Sequence, residues 1–151
     1  SKQLSDLGAE LLIKTLPDYI DGKIKPQEQN HAQATFCKII KKEDGKINWN
    51  KSADEIERQI RAFREWPTAY AKIQSPKSTV QNNITILNAE FKNENTNKKI
   101  GEVFLTDDKQ LAVKTGDGIL ILKTIQLEGK NPMSAKDFLN GHKEIIETIL
   151  Q

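Results

Sequence analysis

Residues 111–127 read Leu111-Ala112-Val113-Lys114-Thr115-Gly116-Asp117-Gly118-Ile119-Leu120-Ile121-Leu122-Lys123-Thr124-Ile125-Gln126-Leu127. Two apolar, β-branched runs flank Gly116-Asp117-Gly118, and Gly and Asp tolerate the positive φ that a tight turn demands. The stretch is therefore a hairpin, with strands at 111–114 and 119–127. Gly116-Asp117-Gly118 superficially resembles a phosphate loop, but no helix start follows it. Working outward, 101–105, 84–91 and 68–74 have the same short β character, with Asp107-Asp108 as a second turn and 93–99 as a polar loop. About five closely spaced strands predict a mainly β domain. Its form is a small open β-barrel, the partly open kind used by oligonucleotide-binding folds, with flanking helices.

The helices have their own signals. Ser52 and Glu55 have the spacing of a capping box, in which each side chain satisfies a backbone donor at the helix start. Ala53, Ile56, Ile60 and Phe63 fall on one face of that helix, and Pro67 after Trp66 ends the element. Ser134, with Met133 before it and Phe138 four residues on, predicts a second short helix that Gly141 stops. Ile145, Ile146, Ile149 and Leu150 then suggest a last helical turn or two. At the other end, Leu4, Leu7, Leu11, Leu12, Leu16, Tyr19 and Ile20 form a helical stripe over 3–21, with Pro17 expected to kink it or end it early. Residues 23–33 are polar and read as an extended linker, and 34–40 as a short β-prone segment.

Composition removes several classes of function. Of 151 residues, 36% are hydrophobic and 29% charged, and the net charge of +2 excludes a histone-like polycation. The single cysteine, Cys37, cannot form an internal disulfide, and it reads as a small buried apolar residue beside Phe36. His31 and His142 are far apart, so no zinc cluster forms, and solvated or capping roles suit them. No apolar run spans a bilayer and no signal segment opens the sequence, so a reducing cytoplasmic setting fits. The chain starts without Met, which suggests a piece of a longer one. Walker, dinucleotide and nucleophile-elbow motifs are missing, and Glu55 and Glu57 point to different helix faces. Read alone, the chain is catalytically empty.

The placement of its cations is informative. Lys38, Lys41, Lys42 and Lys46 gather between linker and barrel, and Arg58, Arg61 and Arg64 follow at three-residue spacing along the helix and its end. Lysine-rich turns often are plain solvated faces. An arginine row beside an aromatic-flanked barrel is also the footprint of phosphate contacts. Each such contact adds a log–log salt slope of about −0.7 to −0.9. With Ile60 and Phe63 beside it, Arg61 has the option of burying its stem. Trp49 and Trp66 flank the helix as core anchors, base stacking being the other use open to them.

These residues also carry a resemblance. Lys46-Ile47-Asn48-Trp49, Ala53, Ile56, Arg58, Ile60-Arg61-Ala62-Phe63 and Trp66-Pro67 resemble the start of the C-terminal domain of methionyl-tRNA formyltransferases. Thr115-Gly116-Asp117-Gly118, Gln126, Gly129-Lys130, Met133, Phe138 and Asn140-Gly141 extend the likeness downstream. Leu11-Leu12, Thr15-Leu16, Gly22, Pro26, Gln29 and Ala34-Thr35 extend it upstream, in matching order. Asn48 stands where the family usually has Asp, and Glu65 where it usually has Pro.

The resemblance implies that residues 1–22 are the last helix of an absent catalytic domain, 23–40 a linker and 41–151 the barrel. It implies that the whole enzyme moves a formyl group from 10-formyltetrahydrofolate to initiator methionyl-tRNA. The family's catalytic Asn, His and Asp belong to the N-terminal catalytic domain, so this piece should be inactive alone, monomeric and without a cofactor of its own. Lys38, Lys41 and Lys42 resemble the family's tRNA-facing linker region. Lys130 is a second candidate, and Arg58, Arg61 and Arg64 complete the tRNA-binding set. Two other readings stay open: the interdomain barrel of a 10-formyltetrahydrofolate dehydrogenase-like enzyme, and a generic interaction module. The basic linker and Ile60-Arg61-Ala62-Phe63 favour the tRNA reading.

Overall fold

The computed structural model describes residues 2–74 and 83–151, the side chain of Gln74 excepted. The chain divides into two compact units, Ser1–Lys38 and Ile39–Gln151. In the first, helix α1 (Lys2–Ile20) runs straight through the expected break and includes Pro17. A proline near a helix end removes only one backbone bond, and Asp21 N–H still donates to the Pro17 carbonyl at 2.9 Å. Gly22, at φ +72°, then reverses the chain, and Lys23 N–H returns to the Asp18 carbonyl. The apolar stripe of α1 is exposed along its length.

Residues 34–40 form no strand. β-Branched composition gives propensity but no partner edge, and here Phe36 is 94% and Ile39 86% exposed. Cys37 is likewise exposed, which corrects the expectation of a buried thiol.

The second unit is built on a seven-stranded sheet. Its elements are α2 (Ala53–Ala62), β1 (Ala69–Gln74), β2 (Asn83–Lys92), β3 (Val103–Leu105), β4 (Leu111–Lys114), β5 (Ile119–Leu127), β6 (Met133–Ser134), α3 (Ala135–Gly141) and β7 (Ile149–Leu150). The strand order is β3-β4-β5-β2-β1-β7, with β6 on β5 and every pairing antiparallel. The hairpin of 111–127 is present, with Lys114 opposite Ile119.

The end of the chain differs from its expected helix. After a 3₁₀ turn at Lys143–Ile145, Ile149 and Leu150 become β7. On one side Leu150 pairs with Ile73 of β1. On the other, Leu150 N–H donates to the Gly101 carbonyl and Val103 N–H to the Thr148 carbonyl, both at 2.9 Å. One two-residue strand thus joins the two ends of the sheet and brings the barrel close to closure. The helical spacing of Ile145, Ile146 and Ile149 loses to these unpaired edges, which only a strand can satisfy.

The barrel interior packs Ile84, Ile86, Leu120, Leu122, Ile125 and Leu150 with Ile56 and Ile60 of α2 and Phe138 of α3. Burial of each such side chain contributes about 1.5–3 kcal/mol. Ala112, Ile119 and Ile121, with Phe104, make a second buried cluster on the opposite face. Both faces of the β4–β5 hairpin are therefore covered, which explains a continuous apolar run instead of an alternating one. The turn between those strands packs on 49–51: Gly116 N–H donates to the Trp49 and Lys51 carbonyls at 2.8 and 2.9 Å.

Candidate nucleic-acid interface

Helix α2 starts as its sequence requires. Ser52 Oγ accepts from Glu55 N–H, and Glu55 Oε2 accepts from Ser52 N–H at 3.2 Å. That backbone bond, followed by the Ser52 hydroxyl, holds the Glu55 carboxyl below its ordinary range. One turn on, Arg58 pairs with Asp54 at 2.9 Å and Arg61 with Glu57 at 3.4 Å, both i,i+4. Arg61 also borders a depression formed with Glu57, Ala89, Glu90 and Phe91. The α2 arginines therefore sit among carboxylates. Arg64 lies beyond the helix, exposed in the turn of residues 63–67.

Lys41 and Lys42 are held differently. Lys41 N–H donates to Asp44 Oδ2 at 2.7 Å, opening a 3₁₀ turn over Lys42–Gly45. Gly45 is buried there against the Thr68 carbonyl oxygen, so closely that a Cβ would overlap it. Gln59 of α2 donates to the Asp44 carbonyl at 3.0 Å and pins the turn from the other side. The backbone is fixed while both lysine side chains remain exposed.

Lys42 edges a groove across β1, β2 and the end of β5, with Thr68, Tyr70, Lys72, Asn83, Thr85, Gln126 and Gly129. Lys130 follows Gly129 in a turn closed by Lys130 N–H to the Leu127 carbonyl and braced by Gln126 Nε2 to the Lys130 carbonyl at 2.7 Å. Among the described residues, Lys41, Lys42, Arg64, Lys72 and Lys130 have no carboxylate within ion-pair distance. The expected cations thus separate into a paired set on α2 and an unpaired set, of which Lys42 borders the groove and Lys130 follows its last lining residue, Gly129. Lys38, exposed, belongs to the first unit.

Sequence reasoning missed two residues here. Ala69 and Ala71 point inward, so the alternation of a strand places Tyr70 and Lys72 on the outer face. The tryptophans also divide: Trp49 is 4% exposed, whereas Trp66 is 60% exposed and is not a core anchor. Pro67 beside it is buried, so the turn is anchored by the proline.

Comparison with known proteins agrees with this architecture. The family described as formyl transferase, C-terminal domain, matches residues 39–143. A methionyl-tRNA formyltransferase of Sulfurihydrogenibium sp. (strain YO3AOP1) is 41% identical over 142 residues, 93% of this chain and 44% of that protein. One from Roseiflexus castenholzii is 36% identical over 141 residues, 93% of this chain and 43% of that protein. The chain thus spans less than half the length of these relatives. Among solved structures, HypX from Aquifex aeolicus in complex with tetrahydrofolic acid superposes with a TM-score of 0.63 at 18% identity, covering 91% of this chain and 23% of that one. Strands β1–β6, the hairpin turn and the capped helix fall inside the matched span, with β7 beyond it, and the chain belongs to the formyl transferase C-terminal domain family.

Proposed function

We propose that this chain is the tRNA-holding C-terminal part of a methionyl-tRNA formyltransferase. On this reading residues 1–22 are the last helix of the catalytic domain, 23–40 the linker and 41–151 the barrel. The catalytic domain moves the formyl group from 10-formyltetrahydrofolate to initiator methionyl-tRNA in the cytoplasm. The isolated chain is a monomer with no transferase activity. Lys38, Lys41, Lys42, Arg64 and Lys130 contact tRNA phosphates, with Arg58 and Arg61 as weaker contributors because Asp54 and Glu57 already neutralise them. The observation that carries the reading is the unpaired state of Lys41, Lys42 and Lys130 on rigid turns, in a chain whose relatives bear that enzyme name. A tetrahydrofolate-bound fold neighbour supports a folate-type co-substrate.

A filter-binding titration of the chain with initiator tRNA at rising NaCl tests it. Replacing Lys41, Lys42 and Lys130 by Ala should weaken binding and flatten the salt slope by about 0.7–0.9 for each phosphate no longer neutralised. Affinity and slope unchanged by the triple substitution would overturn the reading and favour a folate-enzyme interdomain barrel or an interaction module.

A further inference from the structure

The groove beside Lys42 has an order that its lysines alone do not explain. Tyr70 of β1 pairs with Thr85 of β2, and Thr85 with Gln126 of β5, so three polar side chains form one row across adjacent strands. One step along, Lys72 pairs with Asn83, and Glu128 N–H donates to the Asn83 carbonyl, which makes a second row. Rows of this kind are set by strand register and are held more tightly than loop side chains. The donors and acceptors are also sorted. Gln126 and Asn83 each commit one amide N–H, to the Lys130 carbonyl at 2.7 Å and the Glu128 carboxylate at 3.1 Å. Their amide oxygens accept nothing among the described residues, while Lys42 and Lys72 supply free ammonium groups at the margins.

We infer that this outer face of β1, β2 and β5 is a ribose–phosphate site that tells RNA from DNA. Phosphate oxygens accept only, so they go to Lys42 and Lys72. A 2′-hydroxyl also donates, and the amide oxygens of Gln126 and Asn83 and the Thr85 hydroxyl can receive it, as can the Glu43 and Glu128 carboxylates. Glu43 and Glu128, which also border the groove, weaken phosphate attraction and add acceptors, so the face selects for the sugar more than it adds affinity. The groove is open and lies on a sheet face, which suits the wide, shallow minor groove of an RNA duplex, where 2′-hydroxyls are displayed. The inference rests on the tRNA reading above and adds to it the chemical group recognised.

Fluorescence anisotropy of the full chain with three short duplexes of one sequence tests it: RNA, DNA, and RNA with 2′-fluoro sugars, which keeps the helix form and removes the hydroxyl. Wild type should bind RNA about three- to tenfold more tightly than either of the others, the range expected for one or two hydrogen bonds. Thr85→Val with Gln126→Ala should erase that preference. Lys42→Ala with Lys72→Ala should weaken all three equally. RNA binding without any sugar preference, or a preference that survives Thr85→Val/Gln126→Ala, overturns this inference and leaves the tRNA reading standing. Failure to bind any of the duplexes while tRNA is still retained also overturns it. Failure to bind tRNA at low salt overturns the reading beneath it.

Discussion

The backbone N–H of Ala53 donates to the carbonyl of Asp117 at 2.8 Å. Ala53 is the first residue of α2 and Asp117 the middle of the β4–β5 turn, so the helix start is tied to the barrel through main-chain atoms. A helix leaves four N–H groups unsatisfied at its start. Here the Ser52 hydroxyl takes one and the hairpin turn another. The direction of α2, and with it the Gln59 side chain that pins the Lys42–Gly45 turn, is set by that contact.

The same turn gives the sharpest stability prediction. At Gly116 a Cβ would overlap the carbonyl oxygen of Asn50, and backbone cannot give way cheaply. Gly116→Ala should lose about 3 kcal/mol, measured by urea unfolding with an unchanged slope. Gly129→Ala has φ +74° but open space around it, so it should lose about 1 kcal/mol.

The two tryptophans should separate cleanly. Trp49→Ala empties a core position and should cost about 3–5 kcal/mol. Trp66→Ala should change stability by less than about 0.5 kcal/mol. In wild type, iodide should quench a Trp66 component of the fluorescence and spare Trp49.

Acid should unfold the barrel in a predictable window. Glu102 is held below the ordinary carboxylate range by the Lys99 backbone N–H, at 2.9 Å, and then by the Lys98 ammonium, also at 2.9 Å. Glu55 and Glu144 are lowered too, each first by a backbone hydrogen bond. A depressed carboxylate stabilises the fold above its unfolded pKa of about 4.3 and loses that contribution as pH falls through the folded value. Stability should therefore decline below about pH 4.3. Glu102→Gln should make the decline shallower in urea midpoints taken across pH.

Arg58 and Arg61 provide an internal control for the proposed tRNA interface. Both sit in exposed i,i+4 pairs, each worth about 0.3–0.5 kcal/mol. Arg58→Ala with Arg61→Ala should change tRNA affinity less than Lys41→Ala with Lys42→Ala in the same titration, although each removes two positive charges.

The hairpin of 111–127, the capping box at Ser52 and the turn at Asp107-Asp108 were legible because each depends on neighbours within a few residues. The fate of 34–40 and of 145–150 was not. Both stretches are apolar and short, and what decides between helix, strand and coil is whether an unpaired edge lies within reach. Leu150 finds Ile73 and Gly101, whereas Phe36 finds no such partner among the described residues. The placement of the cations was half legible for a similar reason. Cation spacing picked out Lys41, Lys42 and the α2 arginines as candidates. The i,i+4 spacing of Asp54 with Arg58 and of Glu57 with Arg61 is a sequence signal for their pairing that a reading of the cations alone passes over, whereas only the fold shows that Lys72 joins Lys42 from another strand.

The clasp formed by Ile149 and Leu150 bears on how such a molecule is made. Its two partners, Ile73 and Gly101, leave the ribosome long before it does, so a nascent barrel waits with both margins bare. Contacts this distant in sequence form late and slow the overall rate. During that wait the strand margins are adhesive, and neighbouring nascent chains on a polysome are the nearest surfaces to which they can adhere.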